Sequence, residues 1–223
     1  ITSTVSANAD AGFSIVSYTG NGTAGATIGH GLSKTPDIVF VKRRNGTGNT
    51  LATMPILGNN YLQLTTNEAT IAHAVFFNNT LPTATVFSVG TANDANANTG
   101  THIAYCFHSV DGYSKVGSYT GNGNADGPFI YTGFRPAYVI IKNTTLGSWH
   151  TFDSERDPTN DGSMFDLMAN SSSAELTQTT NDRWEALSNG FKMRGTNNES
   201  NGNGQTVVYL AFAETPFKFS NAR

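Results

Sequence analysis

An internal repeat constrains this chain more than any other feature. Ser17-Tyr18-Thr19-Gly20-Asn21-Gly22 recurs unchanged as Ser118-Tyr119-Thr120-Gly121-Asn122-Gly123. Further matches follow in the same order. Pro36-Asp37-Ile38-Val39-Phe40-Val41-Lys42 answers Pro136-Ala137-Tyr138-Val139-Ile140-Ile141-Lys142, and Gly90-Thr91-Ala92-Asn93 answers Gly195-Thr196-Asn197-Asn198. The pattern closes on Thr101-His102-Ile103-Ala104-Tyr105-Cys106-Phe107 and Thr206-Val207-Val208-Tyr209-Leu210-Ala211-Phe212. Ordered self-similarity of this kind is the signature of duplication. It divides the chain into an N-terminal segment 1–11, a first repeat 12–110, a second repeat 112–216 and a C-terminal tail 217–223. Each repeat is too long for a solenoid unit and suits a small sandwich or half of a larger one.

The local pattern is strand. Ile38 to Val41 is apolar on both faces, as a central sandwich strand would be, and Phe13 and Ile15 alternate with Ser and Thr. The fold class expected is therefore all-β: a tandem duplication forming two packed, jelly-roll-like β-sandwich units or one composite sandwich. The short join Ser109-Val110-Asp111-Gly112 has none of the richness in Pro, Gly and Ser of a flexible linker, and points to a stiff module. Gly-Asn-Gly at 20–22 and 121–123 predicts a tight hairpin turn. The Asn-rich stretches 91–100 and 196–204 read as exposed loops. Short helices are expected only within 67–77 and 174–187, the latter best at Asp182 to Leu187.

The surface must be built from uncharged polar groups: 24 Asn, 30 Thr and 23 Gly stand beside a charged fraction of 13%. A net charge of -3 excludes a general phosphate-neutralising role, so no nucleic-acid partner is expected. The longest apolar run, Val207 to Ala213, falls far short of the roughly 20 residues of a membrane-crossing helix. No membrane partner is expected. Ile1 with a polar start suggests a fragment or processed product. The lone Cys106 sits in an apolar strand and reads as a small buried hydrophobe.

No nucleophile elbow, Walker loop, HExxH helix or paired CxxC is present. The five scattered histidines read as structural or surface groups. One short segment gathers chemistry: Trp149-His150, then Asp153, Glu155, Arg156 and Asp157. Its aromatic rings and hydrogen-bonding groups make Trp149, His150, Asp153, Arg156 and Asp157 the candidate ligand contacts, with Asn93, Asn96, Asn197 and Asn201 weaker ones. Two alternatives use the same oxygens. Paired carboxylates beside Trp149 would suit a polysaccharide hydrolase, and Asp157, Asn160 and Asp161 could hold calcium, although no cofactor is required. Trp149 and Trp184 could equally fill the core.

Gly12-Phe13-Ser14 with the first hexapeptide, Ile28-Gly29-His30-Gly31-Leu32, Tyr105-Cys106-Phe107, Gly112-Tyr113-Ser114-Lys115, Gly133-Phe134-Arg135-Pro136, Ser148-Trp149-His150 and Asn189-Gly190-Phe191-Lys192 resemble a duplicated module of marine, cyanophage-like bacteriophage virion proteins. The likeness runs over nearly the whole chain. It implies β-sandwiches in a tail-fibre or related structural protein, and no catalytic residues to carry across. One departure is that Gly48-Asn49-Thr50-Leu51 lacks the Trp that such modules carry after the first Lys strand. The expected protein is thus a non-enzymatic virion-surface module. Its expected partners are further copies of itself, in a trimer, other virion proteins, and a bacterial surface glycan or protein. A capsid decoration protein is the alternative, and a depolymerase the third.

Overall fold

The computed structural model describes residues 1–157, 164–178 and 184–216. The chain falls into two compact units, one of Ile1–Thr66 with Thr70–Ser109, the other of Asn67–Ala69 with Val110–Arg223. Both are built from antiparallel sheets, so the chain is all-β.

The first unit holds β1 (Ser3–Asn8), β2 (Phe13–Thr19), β3 (Ala26–Gly29), β4 (Ile38–Arg43), β5 (Leu51–Thr53), β6 (Asn60–Gln63), β7 (Ile71–Ala72), β8 (Val86–Val89) and β9 (Thr101–Phe107). Two single-turn helices, α1 (Ala74–Phe77) and α2 (Asn93–Asn96), interrupt them. A large sheet runs β1-β2-β9-β4-β5-β6-β7, and β3 pairs with β8 in a small one. Between them lie Val16, Tyr18, Val39, Val41, Leu51, Tyr61, Ala104 and Cys106 from the large sheet, with Ile28, Phe87 and Val89 from the small one. Burial along β2 runs in period two, with Ser14, Val16 and Tyr18 inward and Phe13, Ile15 and Ser17 half-buried on the other face.

The second unit holds β10 (Ser114–Thr120), β11 (Phe129–Tyr131), β12 (Pro136–Asn143), β13 (Trp149–Asp153), β14 (Met164–Met168), β15 (Leu176–Gln178), β16 (Trp184–Leu187), β17 (Gly190–Met193), the single turn α3 (Asn198–Asn201) and β18 (Thr206–Ala213). Its large sheet runs β10-β18-β12-β13-β14-β15, its small sheet β11-β17-β16. Strand for strand this is the order of the first unit, with β1 omitted and β16 added. The core joins Val139, Ile141, Phe152, Val207, Tyr209 and Ala211 to Ile130, Trp184, Phe191 and Met193.

Three local expectations are corrected. Gly-Asn-Gly does not close a hairpin, because β2 pairs with β1 and β9 while β3 pairs with β8. The Asn-rich loops are not simply exposed: α2 buries Ala95 and Asn96, and α3 buries Ser200 and Asn201. Residues 184–187 form a strand rather than a helix, with Trp184 and Ala186 inward. Of the 67–77 stretch only Ala74–Phe77 is helical, and residues 179–183 of the second predicted helix lie outside the described residues, as does the tail 217–223.

Candidate functional site

The repeated hexapeptide is a docking device. Tyr18 donates its hydroxyl hydrogen to the Ala95 carbonyl at 2.7 Å, and Tyr119 does the same to Ser200 at 2.6 Å. Each pins β2 or β10 to the single-turn helix far along the chain. The Asn21 N–H donates to Asn96 Oδ1 at 2.9 Å, and Asn96 Nδ2 donates to Asn21 Oδ1, Thr23 O and Gly90 O. Asn201 repeats this with Asn122, Asn124 O and Gly195 O. A Cβ on Gly20 would stand 2.3 Å from the Ala97 carbonyl oxygen, and one on Gly121 2.3 Å from that of Gly202, so only glycine permits the approach. Asn96 and Asn201, candidate ligand contacts by sequence, are fully buried and spend their amides inside the fold. Asn197 caps α3 by accepting from the Glu199 N–H at 2.9 Å, and Asn93 is exposed at the start of α2.

The acid-rich segment begins on β13, whose alternation sends His150 and Phe152 to one face and Trp149 and Thr151 to the other. Trp149 is 2% exposed, and neither of its ring faces is open to a ligand. His150 is equally closed off and sits between two carboxylates: Nδ1 is 2.7 Å from Asp166 Oδ2 and Nε2 is 2.9 Å from Glu199 Oε2. Ionised carboxylates only accept, so a ring between two of them donates from both nitrogens, the geometry of an imidazolium. Glu199 also accepts from the Ser148 N–H at 2.7 Å. Its carboxyl is held down at about 2, chiefly by the bond from His150, against the opposing effect of burial and with help from Ser148 and the Lys142 charge.

Lys142 completes the set. Its fully buried ammonium donates to the carbonyls of Asn143 at 3.0 Å, Leu146 at 3.1 Å and Gly147 at 2.8 Å, closing the turn that delivers Trp149 and His150 to the sheet. Burial lowers it to about 8, with Glu199 pulling the other way. Two cations and two anions balance here, tying β12, β13, β14 and α3 together. The first unit keeps half of this. Lys42 donates to Gly48 O at 2.5 Å, and Asp94 at the Glu199 position accepts from the Asn49 N–H at 3.2 Å. Leu51 and Tyr61 occupy the positions of His150 and Asp166, judged by strand register.

The remaining candidates form a separate cluster. Arg156 donates from Nε to Asp153 Oδ2 at 2.6 Å and from Nη2 to Thr151 O at 3.1 Å, and also pairs with Glu175. Burial pushes the Asp153 carboxyl up, but the Arg156 bonds outweigh it and hold it below the ordinary range. Asp157 is buried. Of the five candidates, His150 lies in a buried network, Asp153 and Arg156 form a partly exposed ion pair, and Trp149 and Asp157 are buried, so they are not one open cleft. Asn160 and Asp161, the other calcium oxygens, lie outside the described residues. Among the described residues no group of three or more His, Cys, Asp and Glu side chains is placed to hold a metal ion. All five histidines are buried, His73 being lowered to about 4 by burial alone.

The sequence missed a different feature. Phe129 and Tyr131, on β11, are 46% and 65% exposed. The signal that could have found them is the duplication itself, since strand register sets them against Thr27 and Gly29 of the first repeat.

The chain belongs to the family described as a domain of unknown function (DUF7483), whose model matches residues 1–216. No curated protein and no solved structure matches it.

Proposed function

We propose that this member of a family without assigned activity is a non-enzymatic module of a virion surface, of the tail-fibre kind, which holds a bacterial surface glycan or protein. The observation that carries this reading is how the chemistry-bearing groups of the acid-rich segment are used. Glycoside hydrolysis needs one carboxyl raised so that it can donate a proton. Asp153 is instead held down by Arg156, and His150, Asp166 and Glu199 are consumed in an internal network. Rigid duplicated sheets with uncharged polar surfaces suit repeated weak contacts, which gain strength when a symmetric oligomer, here a trimer, presents several copies.

The test is binding of the purified protein to intact candidate host bacteria, with its oligomer size measured in the same sample. Saturable binding supports host attachment. Failure of a correctly assembled oligomer to bind any host would replace this reading with capsid decoration, and release of reducing sugar from host polysaccharide would replace it with a depolymerase.

A further inference from the structure

The outward face of the small sheet β11-β17-β16 carries a second, independent cluster. Phe129 and Tyr131 lie two residues apart on an edge strand and so share one face, about 7 Å apart along it. Directly across from them stand Lys192 and Gly190, and across from Lys192 stands Glu185. A Cβ on Gly190 would meet the Phe129 ring at 3.0 Å, so that ring lies over the glycine with its outer face toward water. Beside the rings runs a chain of ion pairs: Asp126 Oδ1 is 2.6 Å from Lys192 Nζ and 3.1 Å from Arg194 Nη1, and Arg194 Nη2 is 2.7 Å from Glu185 Oε2.

The first unit forms the same strand pair without such rings. It has Thr27 and Gly29 in their place, and its β1 reaches the same strand: the Ile1 nitrogen donates to Thr27 O at 2.7 Å and Ser3 Oγ to Gly29 O at 3.1 Å. In the second unit the rings stand on the strand edge that β1 covers in the first. Two rings are far too small for a stable protein interface, which needs roughly 800 Å² per partner. They do match the apolar face of a sugar ring, on which aromatic side chains stack. The flanking charges are two positive and two negative. They present donors and acceptors already fixed in place, without the net positive field that an anionic polymer would call for.

Resting on the host-attachment reading above, we infer that the Phe129–Tyr131 face is a binding platform for an uncharged saccharide of the bacterial surface. The rings stack on the sugar. Asp126, Lys192 and Arg194 hydrogen-bond its hydroxyl groups.

The experiment uses the whole chain against immobilised neutral and anionic bacterial oligosaccharides, and against intact host cells before and after periodate oxidation. Tyr131→Ser, and separately Asp126→Asn, should lower binding to a neutral oligosaccharide about tenfold or more. Tyr131→Phe should retain most of it, and Tyr105→Ser, an exposed ring of the first unit, should change nothing. Both test side chains are largely exposed, so the melting temperature should not move. Periodate-sensitive cell binding that Tyr131→Ser and Asp126→Asn leave intact would overturn the platform and keep the glycan reading. Cell binding that survives periodate would also overturn the platform, in favour of a protein receptor. Absence of binding to every cell and oligosaccharide would overturn both.

Discussion

The buried ionic pair of the second unit should be replaceable by the apolar kind of pair that the first unit uses. His150 and Asp166 have side chains only 3% and 1% exposed, and at the same register the first unit has Leu51 and Tyr61. His150→Leu alone strands Asp166, whose Oδ1 already lacks a hydrogen-bond partner and whose Oδ2 would lose the imidazolium. An uncompensated buried carboxylate costs about 3–5 kcal/mol. Asp166→Leu alone leaves His150 bonded to Glu199 but desolvated on its Nδ1 side, a cost of about 1–3 kcal/mol. Changing both to Leu removes the desolvation together with the attraction. The double variant loses only the His150–Glu199 bond and should lie within about 2 kcal/mol of the parent. Leu serves at 166 rather than Tyr because the Tyr61 ring is fitted to Phe76 and Phe77 of its own unit. The assay is urea unfolding followed by tryptophan fluorescence, which reports the second unit because the chain's two tryptophans, Trp149 and Trp184, both lie in it. A double variant as unstable as the sum of the two singles would refute the reasoning, since it would mean that the charges stabilise beyond their mutual compensation.

Asn201→Ala removes one accepted and three donated hydrogen bonds at a fully buried site, and should cost about 2–4 kcal/mol in the same assay. Gly121→Ala drives a Cβ to 2.3 Å from a carbonyl oxygen and should lower the melting temperature well beyond Gly204→Ala, whose only burden is a φ of 70°. Acid should act through Glu199. Its folded-state value of about 2 lies below the ordinary 4.5, so its contribution is complete above pH 4.5 and is lost as pH falls toward 2. That contribution is about 1–2 kcal/mol, discounted because the side chain is a third exposed. Glu199→Gln should flatten that part of the stability curve, as read by unfolding midpoints between pH 2 and 5.

The duplication and the strand character were legible because both are local or repeated signals. An identical hexapeptide needs no structure to be seen, and Ile38 to Val41 announces a strand buried on both faces. The purpose of the hexapeptide was not legible, since Asn96 and Asn201 lie 75 and 79 residues from the turn they hold. The same distance hid the charge network: nothing within a few residues of His150 reveals Asp166 or Glu199. Trp184-Glu185-Ala186-Leu187 reads as helix because its residues favour one, and two inward side chains in period two are too short a pattern to compete with that preference. Trp149, the most prominent aromatic of the acid-rich segment, is buried on the face of β13 opposite Phe152, which nothing local in the sequence reveals.

Comparison of the two repeats separates constraint from freedom. Tyr18 and Tyr119, and Asn96 and Asn201, agree because each closes the same long-range contact, and Lys42 and Lys142 because each closes the same local turn. Where the repeats differ inside, the change is paired: Leu51 and Tyr61 stand where the second unit has His150 and Asp166. Either solution preserves the sheet. Thr27 and Gly29 against Phe129 and Tyr131 is a different kind of change. It lies on the surface, and it places two large rings in water where the other unit has small residues and the cover of β1. Exposed apolar area of this kind works against solubility unless something else is gained by it. Among the differences between the repeats, this one therefore points outward to a ligand rather than inward to the core.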